Sequence, residues 1–298
     1  MRLGIDWGGT KIEIIALGDE GEELFRQRTG TPKDDYDGCL QAVKSLVEAA
    51  EKATGLTGSL GLGIPGSLSP KTGLVKNANS TWMNGKPLDK DLETLLNRPV
   101  RIQNDANCLA VSEATDGAGA GAHIVHAVII GTGSGSGIAI DGHAHLGANG
   151  IGGEWGGIAL PWMTAEEFPG PKSWIGHNGV IDLWCSGTGF QLDYKEKTGT
   201  PLKGLEIIEL KRAGDPVATK VYRDYVSRLA RALAMSANLL DPDVFVLGGG
   251  MSNIAELYDD LPDAMLPFVF SDTFETPIRK AKHGDSSGVR GAAWLWND

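Results

Sequence analysis

The chain has 298 residues, 41% of them hydrophobic, enough to bury the cores of two ordinary domains. Its 27 Lys and Arg against 38 Asp and Glu leave a net charge of −11, a field that repels nucleic acid and anionic membranes, so a phosphate-bearing ligand must be held by local contacts. No stretch is long enough to span a bilayer and the start, MRLGID, lacks a signal peptide's apolar core, which points to the cytoplasm; Cys39, Cys108 and Cys185 have no C-x-x-C pairing and read as isolated buried thiols.

In chain order, alternation and turn residues predict three short strands over about 2–6, 11–17 and 22–28, with GIDWGGTK putting two glycines at the first tip. A helix follows, because Leu40, Val43, Leu46, Val47 and Ala50 recur at helical spacing and Gly55 closes the run. Next come an apolar strand over 58–64, the turn-rich PGSLSPKTG, a strand over 99–103 and a helix over 105–116. From residue 124, HIVHAVIIGTGSGSGIAIDGHAHLG repeats the opening design of strand, glycine tip, strand, DG turn and third strand, which suggests an internal duplication.

Residues 147–186, rich in Gly, Pro and Trp, are expected to be largely loop. Helices are expected near 187–198 and 203–213. A long one starts at Asp215, an N-cap followed by Pro216, and carries the stripe Val217, Val221, Tyr225, Leu229 and Leu233. DVFVLGGG is then a buried strand ending in glycines, MSNIAELYDDL a helix, TPIRKAK a strand and GVRGAAWLW a terminal helix. The alternation predicts an α/β architecture with helices covering two sheets.

Two familiar phosphate loops are excluded by spacing. Gly9 is followed by Thr10 and then Lys11, where a Walker loop needs Gly-Lys-Ser/Thr, and Ser136 breaks G-x-G-x-x-G in a segment that continues as a strand. A glycine hairpin tip with free N–H groups can cradle an anion. A single tip is ordinarily a plain turn; two matched tips in duplicated units suit gripping the phosphates of a nucleotide from both sides, with Thr10 and Thr132 adding hydroxyls. Asp6 suits orienting a magnesium ion through water, or capping the turn. Lys11 reads equally as a solvent-facing strand lysine. Gly248, Gly249 and Gly250 form either a close approach to a nucleoside or a tight strand-to-helix turn.

With these residues in place the chain resembles the ROK family of sugar kinases, within the fold shared by hexokinase, actin and the heat-shock ATPases. GIDWGGTK is similar to the family's first phosphate segment, GTGSGSG to its second and VLGGGMS to its adenosine segment, while GIPGSLSP, NANSTW, NDANCLA and GGEWG resemble its sugar side. The likeness covers nearly the whole chain, including the ending KHGDSSGVRGAAWLW, and runs closest to the bacterial fructokinase and mannokinase branch. It implies a duplicated actin-like, ribonuclease H-like α/β fold, with two domains around a cleft. The expected division is residues 1–116, completed by the C-terminal helix 284–298, and 117–283.

The resemblance also implies roles. Asp6, Gly8, Gly9, Thr10, Lys11, Thr132, Gly133, Gly248, Gly249 and Gly250 would bind nucleotide; Gly66, Asn79, Asn104, Asp105, Glu154 and Asp182 would bind sugar. Asp105 would be the catalytic base. The chemistry agrees independently: phosphoryl transfer to an alcohol needs one group to take the hydroxyl proton, and an aspartate, which ordinarily titrates near about 4, is ionised at neutral pH. Asn104 and Asp105 are also both suited to cap the helix.

The family's structural zinc is held by a His after E-W-G and by C-x-C-G-x-x-G-C, with a sugar-binding Glu two residues on. Gly157, Ser173, Ile175 and Val180 stand at the four ligand positions here and Asp182 at that of the Glu, so no zinc is expected. Trp155, Trp162, Trp174 and Trp184, near Ile175, Val180 and Ile181, are the expected replacement, as a satellite core.

The expected activity is ATP- and Mg2+-dependent phosphorylation of the 6-hydroxyl of a free hexose, fructose or mannose first and glucose or an N-acetylhexosamine next. A sugar-binding regulator with little turnover is the alternative. Sugar and nucleotide are the expected partners of a homodimer, with no nucleic acid and no membrane.

Overall fold

The computed structural model describes residues 1–173, 175–284 and 287–297. The chain opens with β1 (Arg2–Trp7), β2 (Lys11–Leu17) and β3 (Glu23–Gly30), an antiparallel meander. Helix α1 (Tyr36–Thr54) starts at Asp35, whose carboxylate accepts from the Gly38 N–H, and stops at Gly55 in the left-handed region. Its apolar face, from Cys39 to Ala50, is buried as the spacing predicts.

Strand β4 (Ser59–Ile64) lies parallel to β1, followed by the small hairpin β5 (Ser67–Leu68) and β6 (Val75–Lys76), helix α2 (Leu88–Leu96), β7 (Val100–Asn104) parallel to β4, and α3 (Asp105–Thr115). The first sheet has the order β3-β2-β1-β4-β7. Neither the hairpin that begins in PGSLSPKTG and ends at Lys76 nor α2, which buries only Leu88 and Leu92, is evident from the sequence pattern.

The second half contains β8 (Ile124–Ile130), β9 (Ser134–Ile140), β10 (His143–Ala144), α4 (Ile181–Cys185), α5 (Gly187–Thr198), α6 (Gly204–Arg212), α7 (Pro216–Leu240), β11 (Val244–Gly248), α8 (Glu256–Met265), β12 (Ile278–Lys280) and α9 (Ser287–Trp294). Its sheet has the order β10-β9-β8-β11-β12, with β8, β11 and β12 parallel, so the two halves share one topology and the duplication is visible. The helix expected over MSNIAELYDDL is instead a 3-10 turn, Gly250–Asn253, followed by α8, because Ser252 folds back on Gly249. Within 147–186, expected to be loop, α4 forms. Among the described residues, no helix is long and apolar enough to cross a membrane.

The chain divides into two compact units, one of residues 1–121, 137–152 and 282–298 and the other of 122–136 and 153–281. In the first, Leu3, Ile5, Trp7, Ile12 and Ile14 of the sheet pack with α1. Helix α9 covers the sheet's other side: a side chain at Gly4 would overlap the Val289 carbonyl oxygen, and one at Gly291 the Cys108 carbonyl oxygen, so glycine permits this approach. The core of the second unit joins Val128, Ile130, Phe245 and Leu247 to Tyr225, Leu229 and Leu233 of α7.

Candidate active site

In the first unit, β4 and β7 run parallel and deliver Gly66 just beyond the end of β4 and Asn104 at the end of β7, where open α/β sheets place ligands. Asn104 caps α3, its side chain accepting from the Ala106 N–H at 2.8 Å and donating to the Gly66 carbonyl oxygen at 3.3 Å. Asp105 Oδ1 accepts from the same N–H at 2.8 Å, so the two residues share the cap and the carboxylate is held at the helix start. Asn79 joins the group through its N–H to the Pro65 carbonyl oxygen, 3.1 Å. The Ser80 hydroxyl stands 3.4 Å from where a Cβ on Gly9 would be, which brings the first glycine tip alongside.

Asp6 ends this cluster. Asp6 is half-buried, and its desolvation, then the negative charge of Asp105, push its carboxyl up to about 6, so two carboxylates stand close enough to repel. That donor chemistry, carboxylate oxygens with excess negative charge, fits a hard divalent cation. Cys108, one turn along α3, is fully buried, and burial with the charges of Asp6 and Asp105 drives its thiol far from ionisation.

The first tip is closed by the Gly8 N–H donating to the Lys11 carbonyl oxygen at 2.9 Å and by Thr31, whose hydroxyl donates to the Gly8 carbonyl oxygen at 2.8 Å. Lys11 itself lies 3.4 Å from Glu13, a fully buried carboxylate also held by Arg26 and Arg28. Burial alone would raise Glu13, but the two guanidinium groups hold it below its ordinary value.

In the second unit the tip after β8, carrying Thr132 and Gly133, meets the end of β11. Gly248 pairs with Ile129, and a Cβ on Gly249 would stand 2.8 Å from the Ile130 carbonyl carbon and 3.0 Å from the Gly131 nitrogen. Gly249 has φ 83°, so glycine is required twice over. Gly250 starts the turn that follows. Gly187, at the start of α5, donates its N–H to the Gly131 carbonyl oxygen at 2.7 Å and was not singled out from the sequence; Ser186, which caps that helix on the Gly189 N–H, is the available signal. Two glycine segments and one helix N-terminus thus converge.

Glu154 is exposed, and its neighbours are anchored: Trp155 is buried, and the Gly153 carbonyl oxygen accepts from the Ser136 hydroxyl at 2.6 Å. Asp182 Oδ1 accepts from the Ser134 N–H at 2.5 Å, and the Asp182 N–H donates to the Gly156 carbonyl oxygen at 3.0 Å.

The residues at the family's zinc positions do not fit that ion. Gly157, Ser173, Ile175 and Val180 supply neither a thiolate nor an imidazole, the donors a structural zinc needs. Among the described residues no group of three or more His, Cys, Asp or Glu is placed to hold a metal.

The expected tryptophan satellite core is not what fastens this loop. Trp155 belongs to the main core of the second unit, with Val180 and Ile181 buried nearby, whereas Trp162 is 50% exposed against Phe268 and Ile175 is 41% exposed; Trp174 lies outside the described residues. A buried ionic clamp does the fastening. Arg231 donates to both oxygens of Glu167, at 2.7 and 2.8 Å, and to the Trp162 carbonyl oxygen at 2.7 Å. Arg228 reaches Glu167 at 2.9 Å and Asp193 at 2.8 Å while lying over the Trp184 ring. Burial works against the ionised Glu167, yet Arg231, the Thr164 N–H and Arg228 bring its carboxyl down to about 2. The clamp ties 161–167 to α5 and α7.

The ROK family profile matches residues 2–298, and the chain belongs to that family. It is 38% identical over 301 residues to an N-acetyl-D-glucosamine kinase of Haemophilus influenzae, an alignment covering 99% of both chains. Among solved structures it is similar to the ROK hexokinase of Thermus thermophilus, with a TM-score of 0.87 and 29% identity over 99% of this chain and 97% of that one. It is also similar to a ROK glucokinase of Streptomyces griseus in complex with glucose and AMPPNP, with a TM-score of 0.79 and 28% identity over 99% and 98%. The duplicated sheets are those of the actin-like ATPase fold.

Proposed function

We propose that this ROK-family sugar kinase transfers the γ-phosphoryl group of ATP to the 6-hydroxyl of a free hexose, with Asp105 as general base. The observation that carries the reading is the gathering of Asp105, Asn104, Gly66 and Asn79 at the ends of β4 and β7, beside the half-buried Asp6. In the reaction the sugar oxygen bonds to the γ-phosphorus as the bond from that phosphorus to the ADP oxygen breaks, and the hydroxyl proton passes to the Asp105 carboxylate. The Ala106 N–H orients that carboxylate.

Gly8, Gly9, Thr10, Lys11, Thr132, Gly133 and Gly248–Gly250 serve the nucleotide in this reading. The small residues let backbone N–H groups approach phosphate oxygens. Asp6 would hold a magnesium ion, which would supply charge neutralisation for the phosphates. Asn79, Asn104 and Glu154 offer hydrogen bonds to sugar hydroxyls.

N-acetyl-D-glucosamine is the first sugar to test, because relatives at 38–40% identity over nearly the whole chain carry that activity in their names. Fructose and mannose, favoured by the motif resemblance, are the second arm. ADP release over a panel of N-acetyl-D-glucosamine, N-acetylmannosamine, glucose, mannose and fructose ranks them. Robust turnover by Asp105→Asn on the preferred sugar refutes the assigned base. Sugar binding without phosphorylation of any panel member refutes the kinase reading.

A further inference from the structure

Asp182 bonds in two directions. Its N–H is committed to Gly156, just after Glu154, and its carboxylate to the N–H of Ser134, the first residue of β9 beyond the tip Gly131–Gly133. The knot leaves no spare space: a Cβ on Gly156 would stand 2.6 Å from the Ser134 carbonyl oxygen, and one on Gly133 would stand 2.9 Å from Asp182 Oδ1. The tip itself, GTGSG, consists of small residues with wide backbone freedom, so an external acceptor has much to order. A carboxylate accepting a backbone N–H is among the stronger acceptors available.

We propose that Asp182 is a positioning residue for the nucleotide: its carboxylate holds the tip through Ser134, and its main chain ties that tip to the Glu154–Gly156 turn. The proposal rests on reading Thr132 and Gly133 as nucleotide-binding. It departs from the sugar contact that the family resemblance implies for this position. The two roles predict different kinetic signatures, since a sugar ligand acts on sugar affinity and a tip-holding residue acts on nucleotide affinity even with no sugar present.

The experiment measures binding of magnesium AMPPNP without sugar by calorimetry, together with KM for ATP and for the preferred sugar, in the native protein, Asp182→Ala and Asp182→Asn. Loss of one charge-assisted hydrogen bond should weaken nucleotide binding by Asp182→Ala about tenfold, with a matching rise in KM for ATP. Asn retains an oxygen acceptor at the same reach and should stay within about twofold of the native protein. Should Asp182→Ala not fold, Asp182→Ser, whose hydroxyl is too short to reach Ser134, replaces it in the same measurements. Unchanged nucleotide affinity with a raised sugar KM overturns the proposal, as does an Asn variant as weak as Ala. Native protein that neither binds the nucleotide nor phosphorylates any sugar refutes the kinase reading instead.

Discussion

Gly249 and Ile130 touch main chain to main chain: the Cβ that any other residue would carry at position 249 would stand 2.8 Å from the Ile130 carbonyl carbon. With φ at 83°, Gly249→Ala adds strain to the clash, a cost of about 1–3 kcal/mol in stability. The tip after β8 must shift, so KM for ATP should rise by about tenfold or more while sugar affinity changes little. Thermal unfolding and initial-rate kinetics check both halves.

Asp105→Asn keeps an oxygen for the Ala106 N–H and loses the proton acceptor. Its kcat should fall by about 10²–10⁴-fold, with sugar binding retained within a few-fold and melting temperature little changed. A fall in sugar affinity without a fall in kcat would assign Asp105 to binding alone.

Arg231→Met leaves Glu167 buried with fewer partners and should cost about 3–5 kcal/mol at pH 7, measured by urea unfolding. Glu167, held at about 2 in the folded state, contributes stability that is present above the ordinary carboxylate range near 4.5 and is lost as pH falls toward about 2. The variant should therefore show a weaker loss of stability with acid across that window than the native protein.

His126 is buried between Trp155 and Phe245, and burial depresses its imidazole to about 4. Below about 6.5 the unfolded chain takes up a proton that the folded chain refuses. Stability from this group is present above about 6.5 and falls by roughly 3 kcal/mol as pH drops toward about 4. His126→Phe should flatten the pH dependence in that range; an unchanged slope would show that His126 is protonated in the folded state.

Dialysis against a strong zinc chelator, followed by return of magnesium, should leave both melting temperature and turnover unchanged, because Gly157, Ser173, Ile175 and Val180 carry no zinc donor. Stoichiometric zinc by elemental analysis, lost together with activity, would contradict this.

The glycine tips and the capped start of α3 were legible because each lies on a contiguous run: GIDWGGTK, NDANCLA, GTGSGSG and VLGGGMS carry their signal within a few residues. The duplication was legible for the same reason, the meander being local in sequence. The clamp was not. Glu167, Asp193, Arg228 and Arg231 are separated by up to 64 residues, and the latter three look like ordinary solvated positions on amphipathic helices until tertiary packing brings them together. The tryptophans misled in the opposite sense, since aromatic density marks burial in general but not which core a ring joins: Trp155 went to the main core and Trp162 to the surface. Asp182 carried a borrowed role, and its bond to Ser134 spans 48 residues.

The intimate seating of α9 on β1 and α3 sets an order of events in biosynthesis. The sheet built from residues 2–104 leaves the ribosome well before the helix that covers one of its faces. Until it arrives, Ile15, Leu17 and Val111 have no cover from Val289, Ala293 and Trp294, the kind of transiently exposed apolar surface that promotes association.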